Sequence, residues 1–177
     1  MPPQELVQSR PASSWPASVP ITVTITGTND GPVFTAAENP PVVTLVEDSA
    51  ATLTFFGALT FDDVDILDTH SISNVSVVAS GTTSAALTDA VLKAMLSTPV
   101  TSTTTGGALN WSFSAANSLF DYLDDGETLT LTYTVTLDDG HDGEATKVIT
   151  VNVQGTNDVA TVTVANISTT EEDLTTV

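Results

Sequence analysis

The sequence predicts an all-β protein, a Greek-key β-sandwich with one short inserted helix. Three observations carry this. Apolar residues alternate with Thr, Ser and Asn along several segments, which is the period of a strand with one buried face. Clusters of Asp, Asn and Gly punctuate those segments. A single stretch, 87–96, shifts to helical spacing.

In chain order, Ile21, Val23 and Ile25 alternate with Thr and predict a strand over 21–26. Fainter alternation marks strands at 42–46, 51–56, 69–79 and 108–114, and within the last of these Trp111 and Phe113 are expected to fill the core. Val91, Leu92, Met95 and Leu96 share one helical face among Ser/Thr-rich loops, so a helix of two to three turns is expected near 87–96. Leu129, Leu131, Tyr133, Val135 and Leu137 alternate with Thr over 128–137. Asp138-Asp139-Gly140 reads as a hairpin turn into the strand of Ile149, Val151 and Val153. About seven short strands separated by turns are what a Greek-key sandwich requires.

The chain also repeats itself. Residues 21–30 read ITVTITGTND and residues 149–158 read ITVNVQGTND, identical at seven of ten positions. A second echo follows each copy: VTLVEDSA around Glu47 and Asp48, then ISTTEEDL around Glu172 and Asp173. Strand composition explains shared alternation but not the shared Gly-Thr-Asn-Asp stop, so a tandem array is the better account. Its boundaries place a complete repeat at 31–158. The last strand and linker of a preceding repeat fall at 21–30, the start of a following one at 159–177, and a Pro-rich disordered tail at 1–20.

Composition narrows the partners. Among 177 residues, 22 are Asp or Glu against Arg10, Lys93 and Lys147, for a formal charge of −19. Nothing is present to neutralise phosphates, which excludes nucleic acid, and an anionic membrane surface is excluded for the same reason. No apolar run is long enough for a membrane helix, so no membrane insertion is expected. Without cysteine there are no disulfides, thiolate zinc sites or Cys nucleophiles. The opening stretch lacks the pattern of a secretory signal peptide.

The acids gather at strand ends: Asn29-Asp30, Glu47-Asp48, Asp62-Asp63-Val64-Asp65 with Asp68, Asp124-Asp125-Gly126-Glu127, Asp138-Asp139 with Asp142, and Asn157-Asp158. Two unit charges 4 Å apart repel by about 1 kcal/mol in water and about 4 kcal/mol at an effective dielectric near 20. Several such pairs would consume much of a typical domain stability of about 5–15 kcal/mol. A hard cation with oxygen-only ligands offsets that cost, and Ca²⁺ accepts oxygens in flexible geometry where Mg²⁺ retains its waters. Turn preference alone accounts for Asp138-Asp139-Gly140 about as well as a cation does. It accounts much less well for Asp63 and Asp65 beside further carboxylates.

These residues carry a family resemblance. GTNDGPVF (27–34) resembles the cadherin interdomain linker, and ALTFDDVDILDTHSIS (58–73) resembles the cadherin stretch whose Asp-x-Asp pair binds calcium. FDYLDDGETLTLTYTVTLDDG (120–140) is similar to the cadherin Leu-Asp-x-Glu segment and the strand after it. The Tyr-Leu-x-x-Gly-Glu-Thr-Leu wording and the Gly-Thr-Asn-Asp ending are similar to bacterial VCBS-type, cadherin-like repeats, which occur in tandem in large secreted adhesins, often with RTX calcium-binding tails. The resemblance covers about residues 21–158. It implies an Ig/cadherin-like sandwich, calcium as cofactor, adjacent repeats as partners and an extracellular or bacterial cell-surface location. It further implies two calcium clusters at opposite ends: Asn29, Asp30, Asp63, Asp65 and Asp138 at one, and Glu47, Asp125, Glu127, Asn157 and Asp158 at the other. The linker departs from the cadherin pattern in carrying Gly27 and Thr28 ahead of Asn29, and one extra residue separates Leu123 from Asp125-Gly126-Glu127.

Two rivals are weighed beside it. A calcium-dependent module binding surface polysaccharide would need an aromatic platform, for which Trp15, Tyr122, Tyr133 and the loop 97–107 are the places to look. An enzyme would need an assembled constellation. Only His70 and His141 offer imidazole bases, His70 being expected as a packed structural residue and His141 as a solvated one in an acidic turn. No enzymatic activity is expected.

Overall fold

Period-two alternation builds two sheets whose apolar faces meet. The structure, a computed structural model, describes residues 20–35, 41–160 and 162. Its elements are β1 (Val33–Phe34), β2 (Val42–Val46), β3 (Thr52–Asp62), β4 (Ser71–Gly81), α1 (Asp89–Ala94), β5 (Leu96–Ser97), β6 (Val100–Thr103), β7 (Gly106–Ala116), a 3₁₀ turn (Asn117–Leu119), β8 (Thr128–Asp138) and β9 (Glu144–Gln154). One sheet runs β1-β3-β7, with β5 and β6 sharing the far edge of β7; the other runs β2-β9-β8-β4. The chain changes sheet at β1–β2, β2–β3, β3–β4, β4–β5 and β7–β8, the interleaved connectivity of a Greek-key sandwich. All pairings are antiparallel except β2 with β9, which runs parallel from Val42↔Thr150 to Val46↔Gln154.

The interior is filled from both sheets. Leu109 and Phe113 of β7 meet Leu129, Leu131, Tyr133 and Val135 of β8 and Ile149, Val151 and Val153 of β9, all fully buried. Burial of one such side chain is worth about 1.5–3 kcal/mol. Thr88 caps α1 by accepting the Val91 N–H at 3.4 Å. Tyr133 then donates its hydroxyl to the carbonyl of Leu92 at 2.9 Å, tying the helix to β8. Burial pushes the Tyr133 phenol well above its ordinary pKa.

The predicted fold class matches this architecture, and most differences are of extent. The helix is shorter than 87–96, because Leu96 turns outward from it into β5. The strands expected at 51–56 and 108–114 each run eleven residues, as β3 and β7. Phe56 is 74% exposed on the outer face and Gly57 faces Trp111, where a Cβ would overlap the indole, so the alternation of β3 is broken midway.

The strand expected at 21–26 does not form. Ile21, Val23 and Ile25 are 88%, 77% and 90% exposed, with no sheet edge beside them among the described residues. A strand needs a neighbour for its N–H and C=O groups, and alternation alone does not supply one. The tail at 1–19 and most of 161–177 lie outside the described residues, as does Trp15.

Candidate metal centres

Because β8 spans the sandwich, its two ends define two poles about 35 Å apart at the rise of an extended strand. Each pole collects carboxylates from segments distant in sequence.

The first pole lies where β3 and β8 end and β4 and β9 begin. Asp63, just past β3, is 4% exposed; its Oδ1 accepts the Asp65 N–H at 3.0 Å, and its Oδ2 lies 2.9 Å from Nε2 of His70. His70 is buried, with Nδ1 2.8 Å from the Ser102 hydroxyl and its ring against Phe61, the packed role expected of it. Asp65 Oδ2 accepts the Asp30 N–H at 2.6 Å, which brings the linker onto the 63–68 loop. Asp68 has a 95% buried side chain; Oδ1 lies 2.8 Å from Nδ1 of His141, and Oδ2 is buried with no partner among the described residues. Oxygens of Asp63, Asp65 and Asp68 lie within 4.8 Å of one another.

Asp139 completes this pole. It is fully buried in the β8–β9 turn, where Oδ1 accepts the N–H groups of His141 and Gly143 at 2.7 and 2.9 Å and Oδ2 accepts the Asn29 amide at 3.0 Å. Burial raises its pKa, but the Asn29, His141 and Gly143 donors outweigh burial and hold it below the ordinary value.

The opposite pole lies where β2 and β9 end and β3 and β8 begin. Glu47 is 1% exposed, with Oε2 accepting the Thr156 N–H at 3.2 Å and Oε1 buried without a partner among the described residues. Glu47, Asp48 and Asp158 form a second group of carboxylates within 4.8 Å. Asp48 adopts φ 58°, and Asn117 fixes it there by accepting its N–H at 2.8 Å and donating to its Oδ1 at 2.7 Å. Desolvation raises the Glu47 pKa against the Thr156 bond, helped by the charges of Asp158, Asp48 and Asp121. Asp158 is raised as well, by desolvation and then by Asp48 and Asp121.

Of the expected ligands, Asp63 and Asp65 sit together, with Asn29 and Asp30 bonded to the same pole. Glu47 and Asp158 sit together at the other. Asp138 lies outside the first group, capping the Gly140 N–H at 2.8 Å, and the neighbouring Asp139 instead meets Asp68 and His141 in an adjoining group. Asp125 is exposed at a turn tip, Glu127 accepts the Asp124 N–H at 3.0 Å, and Asn157 donates to the Asp158 carbonyl, so none of the three enters the second group. Asp48, Asp68, Asp139 and His141 were not among the expected ligands. Asp48 and Asp68 stand within acidic runs that the sequence displays, whereas Asn117 carries no linear signal. Of the aromatic candidates, Tyr133 is fully buried and Tyr122 is half-buried with its hydroxyl donating to the Thr82 carbonyl at 3.2 Å.

The two directions of pKa shift predict the metal-free response to acid. Glu47 and Asp158 are raised above 4.5 and 3.8, so each takes up a proton more readily in the fold than in the unfolded chain. Their protonation stabilises the fold as pH falls from neutral through the raised values, levelling near the ordinary ones. Asp139 is lowered, so its contribution is held above pH 3.8 and lost as pH falls further. Thermal midpoints in EDTA are therefore expected to rise from pH 7 toward pH 4.5 and fall below about pH 3.5. A midpoint that drops steadily from pH 7 would contradict this electrostatic account.

The sequence matches no protein-family profile, and comparison with curated proteins finds no match. Among solved structures the chain is similar to AggA, the major subunit of aggregative adherence fimbriae type I from Escherichia coli, at 16% identity over 74% of this chain and 99% of that one. The TM-score is 0.33, too low to bear on fold or function.

Proposed function

We propose that this protein is a calcium-binding structural repeat of a secreted bacterial adhesin, one link in a tandem array that calcium stiffens. The observation that carries the reading is, at each pole, a buried carboxylate oxygen without a partner among the described residues, Asp68 Oδ2 and Glu47 Oε1, each from a residue within a group of three carboxylates. Leaving a charged group buried and unsatisfied costs several kcal/mol, as an order of magnitude, and a cation removes that cost. The fit to calcium is chemical. Asp63, Asp65 and Asp68 on one side and Glu47, Asp48 and Asp158 on the other offer oxygens only, and Ca²⁺ takes such ligands from flexible loops.

The tandem element rests on the repeat. Ile149, Val151 and Val153 of β9 are fully buried, while their counterparts Ile21, Val23 and Ile25 lie open, as strand residues do when their own sheet belongs to a preceding unit. Val64, Ile66 and Leu67 are exposed among the acids of the first pole, where that unit would abut. Calcium joining the linker carboxylates to the pole would fix one repeat against the next. Extracellular modules bind calcium at about 10⁻⁴–10⁻³ M, so the array would stiffen only outside the cell.

Calorimetry on the pair of substitutions Asp63→Asn and Asp65→Asn tests the assignment. Removing two charged ligands is expected to weaken the first-pole site by at least about tenfold while leaving the other unchanged, because calcium affinity follows ligand charge. Unaltered calcium binding in the double variant would refute the site.

A further inference from the structure

We propose that Asp68, Asp139 and His141 form a second, nitrogen-containing cation site at the first pole, suited to a first-row transition-metal dication such as Zn²⁺, with Asp68 shared between it and the all-oxygen group. Ligand atoms of the three side chains already lie within 4.8 Å of one another. Asp68 Oδ1 and His141 Nδ1 are 2.8 Å apart. Metal–ligand bonds of about 2.0–2.2 Å give ligand–ligand edges of about 2.8–3.6 Å, so a metal can replace the proton between that oxygen and nitrogen without moving either residue far.

Three features make this more than an acidic cluster. The Asp68 side chain is 95% buried, Oδ1 faces the imidazole, and Oδ2 has no partner among the described residues, so this carboxylate keeps an unused donor oxygen inside the group. His141 is held rather than tethered loosely: its N–H and that of Gly143 are both bound by Asp139 Oδ1, and Gly140 and Asp142 take left-handed φ of 83° and 71° to close the turn. The His141 side chain is 60% exposed at an open cleft of about 630 Å³, which leaves room for water to complete the coordination shell.

The donor set decides the metal. Imidazole favours zinc, nickel, copper and iron, whereas calcium and magnesium prefer oxygen throughout. The all-oxygen group of Asp63, Asp65 and Asp68 thus suits the harder ion and the Asp68, Asp139, His141 group the softer one. Only the sharing of Asp68 rests on the calcium reading.

The test is titration of the chelator-stripped full chain with Zn²⁺, and with Co²⁺ as a spectroscopic probe, in saturating Ca²⁺. Wild-type protein is expected to bind one Co²⁺ with visible absorption characteristic of a nitrogen ligand. In His141→Gln the affinity for both metals is expected to fall at least about tenfold, since even outer-shell partners of a metal site are worth that much. The calcium-induced rise in melting temperature should be unchanged in that variant. Zinc binding that is indifferent to His141→Gln, or displaced one for one by calcium, would overturn the proposal. A failure of the calcium reading shows separately, as the absence of any calcium-induced shift in the wild-type melt.

Discussion

In EDTA the sandwich is expected to melt about 10 °C or more below its midpoint in 10 mM calcium. An ion that binds only the folded state contributes about 1.4–2.7 kcal/mol when its concentration is about 10 to 100 times the dissociation constant. Occupancy of both poles gives about 3–5 kcal/mol, and for a domain of this size each kcal/mol moves the midpoint by about 3–5 °C. The cost being relieved is local. Asp68 Oδ2 and Glu47 Oε1 are buried without partners among the described residues, and each belongs to a residue held near two other carboxylates by the fold. Magnesium at the same concentration is expected to shift the midpoint far less, because it surrenders its water shell reluctantly. Circular dichroism in EDTA, magnesium and calcium reads the effect directly. Identical curves would mean that the acidic strand ends are turn chemistry and nothing more.

Glu47→Gln is expected to change sign with the metal. Without calcium, the substitution removes a nearly fully buried charge whose pKa is raised by desolvation and by Asp158, Asp48 and Asp121. The amide keeps an acceptor for the Thr156 N–H, which Oε2 now binds at 3.2 Å. The variant should therefore melt higher than wild type in EDTA at pH 7, by a few degrees. With calcium, it lacks one charged oxygen of the second pole and should gain at most about half of the wild-type increment, leaving it the less stable of the two. Crossing melting curves in EDTA and calcium are the expected result. A variant less stable in both conditions would make Glu47 a structural carboxylate, satisfied without a cation.

What could be read from the sequence follows from how local each signal is. β8 and β9 announce themselves because Leu129 through Leu137 and Ile149 through Val153 alternate strictly, and each alternate side chain is indeed fully buried. β3 was legible only in its first half, since Phe56 points to solvent and Gly57 makes room for Trp111, both violations of the period. β5 and β6 were invisible: Leu96–Ser97 and Val100–Thr103 are too short to show a period, and it is the edge of β7 that organises them. The residues 21–26 were legible as a strand and are none here, because strand formation depends on a neighbour that sequence does not contain.

The candidate metal centres divide the same way. Asp63 and Asp65 are two positions apart in sequence and meet in space. Asp139 was passed over for Asp138 because the turn rotates one carboxylate inward and leaves the other capping Gly140, a choice made by backbone geometry. Asn117 reaches Asp48 across a separation of 69 residues, which the antiparallel pairing of β3 with β7 creates.

The parallel pairing of β2 with β9 has a mechanical consequence. If tension is applied through residues 29–30 and 155–158, it pulls β2 and β9 along their lengths in opposite directions. The five paired residues from Val42↔Thr150 to Val46↔Gln154, together with the Thr150 N–H to Pro41 carbonyl and Glu47 N–H to Gln154 carbonyl bonds at 2.9 Å each, then lie across the load. They are sheared together rather than peeled one by one, so many bonds must stretch before any is lost. Resistance to force is governed by the unfolding rate rather than by equilibrium stability. Glu47 follows directly on this strand, so an ion at the second pole would fasten the end of the clamp against slipping.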